Sequence, residues 1–188
     1  MEPEDYNKAY GVGLFDTAEH LLTRLVGLNI DEAQEKDTPK RFVEALIELT
    51  TPRAFEFTTF DSNINDMVIE SGIHFATLCR HHVLPFMGVC HIAYIPDGKI
   101  AGLSKLPRLV GVASAKLNTQ EELTATIADL LLRELNPQGV GVIMEAQHTC
   151  MSIRGARSNG VTTRTAAMRG VFADHTKTAK MEFLEAIR

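Results

Sequence analysis

The chain has 188 residues, 45% of them hydrophobic and 23% charged, and its 19 Lys and Arg against 24 Asp and Glu leave a net charge of -5. That suffices for one compact fold with its own core, and the acidic balance argues against a general nucleic-acid binder, which would be basic. Met1-Glu2-Pro3-Glu4-Asp5 has no apolar signal-like run, no stretch nears the roughly 18 residues that cross a bilayer, and three cysteines fall short of a disulfide framework. A cytoplasmic protein with neither membrane nor nucleic-acid partner is therefore expected.

Leu14, Ala18, Leu21, Leu22, Leu25 and Val26 recur at helical spacing, and Gly27 offers a stop. Thr38-Pro39 reads as an N-cap followed by proline in the first turn. Its helix carries Phe42, Ala45, Leu46 and Leu49 on one stripe, with Pro52 just beyond. From Met67 the texture changes to β-branched and aromatic residues, predicting strands near 67–78 and 86–96, with Pro96-Asp97-Gly98 as a turn. Helices are expected near 104–117 and 119–135, the second opened by Thr119 and Glu122 in capping-box spacing and ended by Pro137-Gln138-Gly139. Strands near 140–152 and 161–172 and a last helix from about 176 complete the order αα-ββ-αα-ββ-α. The pattern predicts an α+β fold, helices covering one face of an antiparallel sheet. Residues 1–65 form a helical region and 66–188 the main domain. The sheet's other face and its edges then need a partner, which predicts self-association.

The densest chemical signal is Cys79-Arg80-His81-His82. A Cys-x-x-His pair alone is weak, because a buried cysteine beside two polar histidines is common. Gln147-His148-Thr149-Cys150 strengthens it. On a continuing strand, His148 and Cys150 would project from one face. Cys79, His82 and Cys150 together would offer two sulfurs and one nitrogen, leaving a fourth tetrahedral position for water, as in a catalytic rather than a structural zinc site. His81 and His148 would then be spare imidazoles able to move protons. Cys90 lies in an apolar strand and reads as a small buried hydrophobe, and His20, His74, His91 and His175 read as structural. Ser104-Lys105-Leu106-Pro107-Arg108 predicts a helix capped by Ser104 with two cations in its first turns, a ready anion site. Arg41 is similarly placed after Thr38, and Arg154 and Arg157 follow Cys150 in a glycine-containing loop. Singly these are ordinary surface charges; together they suggest a polyphosphate pocket. At the start of the next helix, Glu122 complements the dipole, whereas Glu121 either does the same or accepts hydrogen bonds from a guanine edge.

Leu78-Cys79-Arg80-His81-His82-Val83-Leu84-Pro85-Phe86, Ala93-Tyr94-Ile95-Pro96, Gly102-Leu103-Ser104-Lys105-Leu106, Gln120-Glu121 and Glu145-Ala146-Gln147-His148-Thr149-Cys150-Met151 through Arg154-Gly155 resemble GTP cyclohydrolase I in order and spacing. The resemblance runs from about residue 38 to the C-terminus. It implies the tunnelling fold (T-fold), a homodecamer with sites between subunits, and GTP as substrate, hydrolysed at C8 and rearranged to 7,8-dihydroneopterin triphosphate plus formate. It further implies Zn2+ on Cys79, His82 and Cys150, proton transfer by His81 and His148, and guanine anchoring by Gln120 and Glu121. Triphosphate contacts fall to Ser104, Lys105, Arg108, Arg154 and Arg41. Arg80 departs from the family pattern, standing where an acidic residue is common. Two alternatives remain at this level: a T-fold nitrile reductase of the queuosine pathway, which needs no zinc, and a non-catalytic module stapled by the metal.

Overall fold

The stripe beginning at Leu14 forms helix α1, Leu14–Val26, and Gly27 ends it in left-handed backbone at φ 72°, its N–H donating to the Leu22 carbonyl. Helix α2 follows, Thr38–Thr50, burying Pro39 and Val43. It stops two residues before Pro52, as expected for a chain entering the extended backbone that precedes proline. The computed structural model describes residues 13–188, so the acidic start Met1–Asp5 lies outside the described residues. The chain divides into two compact units between Leu49 and Thr50. Residues 50–65, grouped above with the helices, fold with the second unit, where Phe55 and Phe57 pack on the core.

The second unit is built on a five-stranded sheet. Its strands are β2 (Val68–Cys79), β3 (Pro85–Ile95), β5 (Leu117–Asn118), β6 (Gly139–His148) and β7 (Thr163–Gly170), in the order β5-β2-β3-β6-β7. All pairs are antiparallel except β2 with the two-residue β5. A small antiparallel ribbon pairs β1, Thr59–Asp61, with β4, Lys99–Ala101. Strands of two or three residues carry too little alternation to be read from sequence, and β1, β4 and β5 went unforeseen for that reason.

Helices α3 (Lys105–Ser114) and α4 (Gln120–Leu135) lie on one face of the sheet. Their stripes of Leu106, Leu109 and Val110 and of Leu123, Ile127 and Leu131 meet Phe86, Cys90, Ile92, Val142 and Met144 of the strands, all at 3% exposure or less. Burial of each such large side chain contributes about 1.5–3 kcal/mol. Thr119 caps α4 as its sequence promised, accepting a hydrogen bond from the Glu122 N–H at 3.2 Å. On the other face, the C-terminal helix α6 (Ala179–Ala186) sets Phe183 and Ala179 with Phe172 against Ala93 and Ile143. Helical cover is thus not confined to one face. α6 closes part of the second, and Gly141 permits the approach, since a Cβ there would come within 2.9 Å of the Phe183 ring.

Candidate metal centre

Cys79 is the last residue of β2, and the chain turns back into β3 through Arg80–Leu84. Three backbone bonds shape that turn: Cys79 N–H to Leu84 O at 2.8 Å, Val83 N–H to Cys79 O at 2.8 Å, and Arg80 N–H to Asn118 O at 2.9 Å. Asn118 is fully buried, and its amide nitrogen donates to Thr77 Oγ1 at 2.9 Å and to the Lys116 carbonyl at 3.1 Å. Strand β5 therefore buttresses the turn through backbone and side chain together. Val83 adopts φ 54°, a left-handed conformation that a β-branched residue enters only when its surroundings force it. The Arg80 guanidinium meets the Glu122 carboxylate at 2.8 Å, so the departure at position 80 is answered by an ion pair to the first turn of α4.

The second half of the site corrects one expectation. Strand β6 ends at His148, and Cys150 lies in a short helix, α5, Thr149–Ser152. His148 and Cys150 are therefore not neighbours on one strand face. The Thr149 hydroxyl donates to the Pro85 carbonyl at 2.5 Å, turning the chain out of the sheet beside the Cys79–Leu84 turn. That bend carries the Cys150 thiol to Cys79 and His82: one ligand atom from each of the three lies within 4.8 Å of the other two. Cys79 Sγ is 3.8 Å from His82 Nδ1. Zn–S bonds of about 2.3 Å and Zn–N bonds of about 2.0–2.1 Å in a tetrahedron set donor atoms about 3.6–3.8 Å apart. Two thiols and an imidazole at this spacing fit such an ion with a small contraction. Among the described residues this is the one Cys/His/carboxylate group that could hold a metal. Burial, then the neighbouring Cys79 thiol, raises the Cys150 pKa, while the charge of Arg154 acts in the opposite sense.

His81 is exposed, its Nδ1 4.0 Å from Cys79 Sγ. His148 is held more firmly. Its ring stacks on Phe86 at 4.5 Å between centroids and 9° between planes, and its Nε2 lies 2.7 Å from Gln120 Oε1. Burial lowers the His148 pKa, and the negative charge of Glu121 opposes that shift. The Gln120 side chain is 1% exposed, and its amide nitrogen bonds Met144 O, Thr163 O and Thr165 Oγ1, so it is turned into the protein rather than out to solvent.

The anion-binding set is less complete. Ser104 occupies the N-cap of α3 but makes no side-chain cap bond, because its backbone is helical at φ -63°, ψ -11° rather than extended. Lys105 Nζ donates to the Glu56 carbonyl at 2.8 Å, and Arg108 is exposed. Among the described residues no hydrogen bond or ion pair joins Ser104, Lys105 or Arg108 to the Cys/His group. Arg154 and Arg157 are exposed in the loop after α5, around Gly155 at φ 59°. Arg41 belongs to the first unit, 3.6 Å from Asp37. Phe86 and Asn118, which sequence reasoning gave no role, hold the site in place. Their parts depend on cross-strand partners that no local pattern signals. His91 accepts from the Gly72 N–H at 3.3 Å in the β2 bulge, and Cys90 is buried in the core, as expected of structural residues.

Residues 16–188 match the sequence profile of GTP cyclohydrolase I. The chain belongs to the GTP cyclohydrolase I family. It is 46% identical over 165 residues to a GTP cyclohydrolase 1 of Hydrogenobaculum sp. (strain Y04AAS1), covering 87% of this chain and 90% of that one. The figures are nearly the same for the protein of that name from Aquifex aeolicus (strain VF5), 46% identical with 87% and 89% covered. The protein of that name from Coxiella burnetii (strain Dugway 5J108-111) is 41% identical over 179 residues, with 91% and 97% covered. Among solved structures, the archaeosine synthase QueF-Like in the apo form aligns at 16% identity and a TM-score of 0.46, over 55% of this chain and 93% of that one. Membership of the GTP cyclohydrolase I family makes the β5-β2-β3-β6-β7 sheet with α3 and α4 a T-fold. The family is metal-dependent, and the Cys79, His82 and Cys150 group is able to bind a metal. No helix among the described residues is long and apolar enough to cross a membrane.

Proposed function

We propose that this chain is a zinc-dependent GTP cyclohydrolase I, hydrolysing GTP at C8 to release formate and form 7,8-dihydroneopterin triphosphate. The observation that carries the reading is the convergence of Cys79, His82 and Cys150, 71 positions apart along the chain at its extremes, with no fourth Cys, His or carboxylate in the group among the described residues. Two thiolates and an imidazole suit zinc among the first-row metals, and three protein ligands leave a vertex open. Cys79, His82 and Cys150 would hold the zinc, which would activate water for attack at neutral pH.

The chain's own side chains then have distinct tasks. His148, pinned between Phe86 and Gln120, offers a proton-transfer group of fixed orientation. His81, exposed beside Cys79, offers a mobile one. Glu121, exposed in the first turn of α4, accepts from the paired donors of the guanine edge. Arg154 takes part of the triphosphate charge, and the family resemblance adds Ser104, Lys105, Arg108 and Arg41, some of them from a neighbouring chain. The open edges of β5 and β7 support self-association into a ring and a homodecamer, which would let neighbouring chains share those cations. Incubation of the zinc-loaded protein with GTP tests the reading. Formate and a fluorescent pterin should accumulate in a 1:1 ratio and stop on addition of a chelator. Intact GTP after exhaustive incubation would sink it.

A further inference from the structure

We infer that Gln120 is a positioning residue that fixes the orientation of the His148 ring and holds it as its Nε2–H tautomer, leaving Nδ1 as the bare nitrogen. The inference rests on the reading of His148 as a proton-transfer histidine, and it begins with the orientation of an amide. The two ends of a glutamine amide look alike, and their assignment follows from the partners around them. Here the partners decide. One end of the Gln120 amide meets Met144 O at 3.1 Å and Thr163 O at 2.9 Å, both backbone carbonyls that can only accept. That end must be the nitrogen. Thr165 Oγ1, at 3.1 Å from it, is itself 2.6 Å from Thr124 Oγ1, and Thr124 Oγ1 donates to the main-chain carbonyl of Gln120 at 2.7 Å. With its one proton committed to that carbonyl, Thr124 Oγ1 must accept from Thr165, which spends the Thr165 proton and leaves its oxygen to accept from Gln120. Every bond in the chain agrees with nitrogen at that end.

The other end is then the amide oxygen, which can only accept, and it lies 2.7 Å from His148 Nε2. His148 Nε2 must carry the hydrogen. In the neutral imidazole Nδ1 is consequently the bare nitrogen. Phe86, stacked 4.5 Å away and 9° from parallel, prevents the ring from tilting out of that bond. A neutral amide also fixes the tautomer without placing a negative charge on the imidazole, unlike a carboxylate partner. Gln120 is thus catalytic only through His148.

The protein as it exists gives the direct test. Neutron diffraction from deuterium-exchanged crystals of the zinc-loaded protein should show deuterium on His148 Nε2 facing Gln120 Oε1. Deuterium on Nδ1 with Nε2 bare would overturn the inference. That measurement holds whether or not GTP is the substrate, so failure of the functional reading, seen as no formate from the unmodified enzyme, is a separate result. In the active enzyme, Gln120→Met should lower kcat by about 10–100-fold with KM for GTP and zinc content nearly unchanged. In a His148→Ala background the same change should have no further effect on kcat. Equal losses in both backgrounds, or a raised KM at unchanged kcat, would overturn the assignment.

Discussion

Cys90 and Cys150 carry the same thiol into opposite environments. Cys90 sits at 0% exposure between the sheet and α4, and burial pushes its pKa up to about 12. Its folded-state pKa lies above the ordinary value near 9, so in alkali the folded chain keeps a proton that the unfolded chain has released. The resulting stability is present below about pH 9 and is lost as pH rises towards about 12, at up to about 1.4 kcal/mol per pH unit. Urea unfolding of Cys90→Ala between about pH 8 and about pH 10 should therefore show a variant weaker at the lower pH that loses less on the way up. Parallel losses in the two proteins would refute it. Cys79, His82 and Cys150 were legible because thiols and imidazoles are scarce and their spacing carries chemical meaning. Gln120 was not, because its partners come from β6 and β7 and only the folded sheet sets them around it.

Among the elements, the hairpin of β2 and β3 does most to build the site, since it ends in Cys79 on one side and carries Phe86 on the other. Its pairing with β6 depends on Gly88, where a Cβ would lie 1.8 Å from the Glu145 carbonyl oxygen. No flexible side chain can yield there, so Gly88→Ala must separate β3 from β6. We expect a loss of about 2–4 kcal/mol, read as a lowered melting temperature together with weakened zinc retention. An unchanged melting temperature would contradict the register. Long elements announced themselves well, α1 ending at Gly27 and α4 starting at Thr119 through their capping residues. The predicted strand through residue 152 failed at its end because a four-residue helix, α5, has no periodicity to detect, and only its Thr149 bond to Pro85 O marks the bend.

At the scale of the molecule, composition pointed to an acidic chain able to bury its own core, and the hydrophobic pattern to α+β, which the T-fold is. What composition could not reveal was the second cover, α6 against Ala93 and Ile143, since α6 is only eight residues long with a weak stripe. The remaining sheet edges predict self-association, and the family resemblance sets the expected size at roughly ten times the 20.8 kDa chain in sedimentation, whereas monomers at micromolar concentration would leave the edges unexplained. The account depends most on residues from distant parts of the chain gathering one metal. Zinc-edge X-ray absorption of the purified protein measures that directly. It should give two sulfurs at about 2.3 Å, one nitrogen at about 2.0–2.1 Å and one further light atom. A shell of four protein ligands, or a single sulfur, would contradict the open site on which the proposed activity stands.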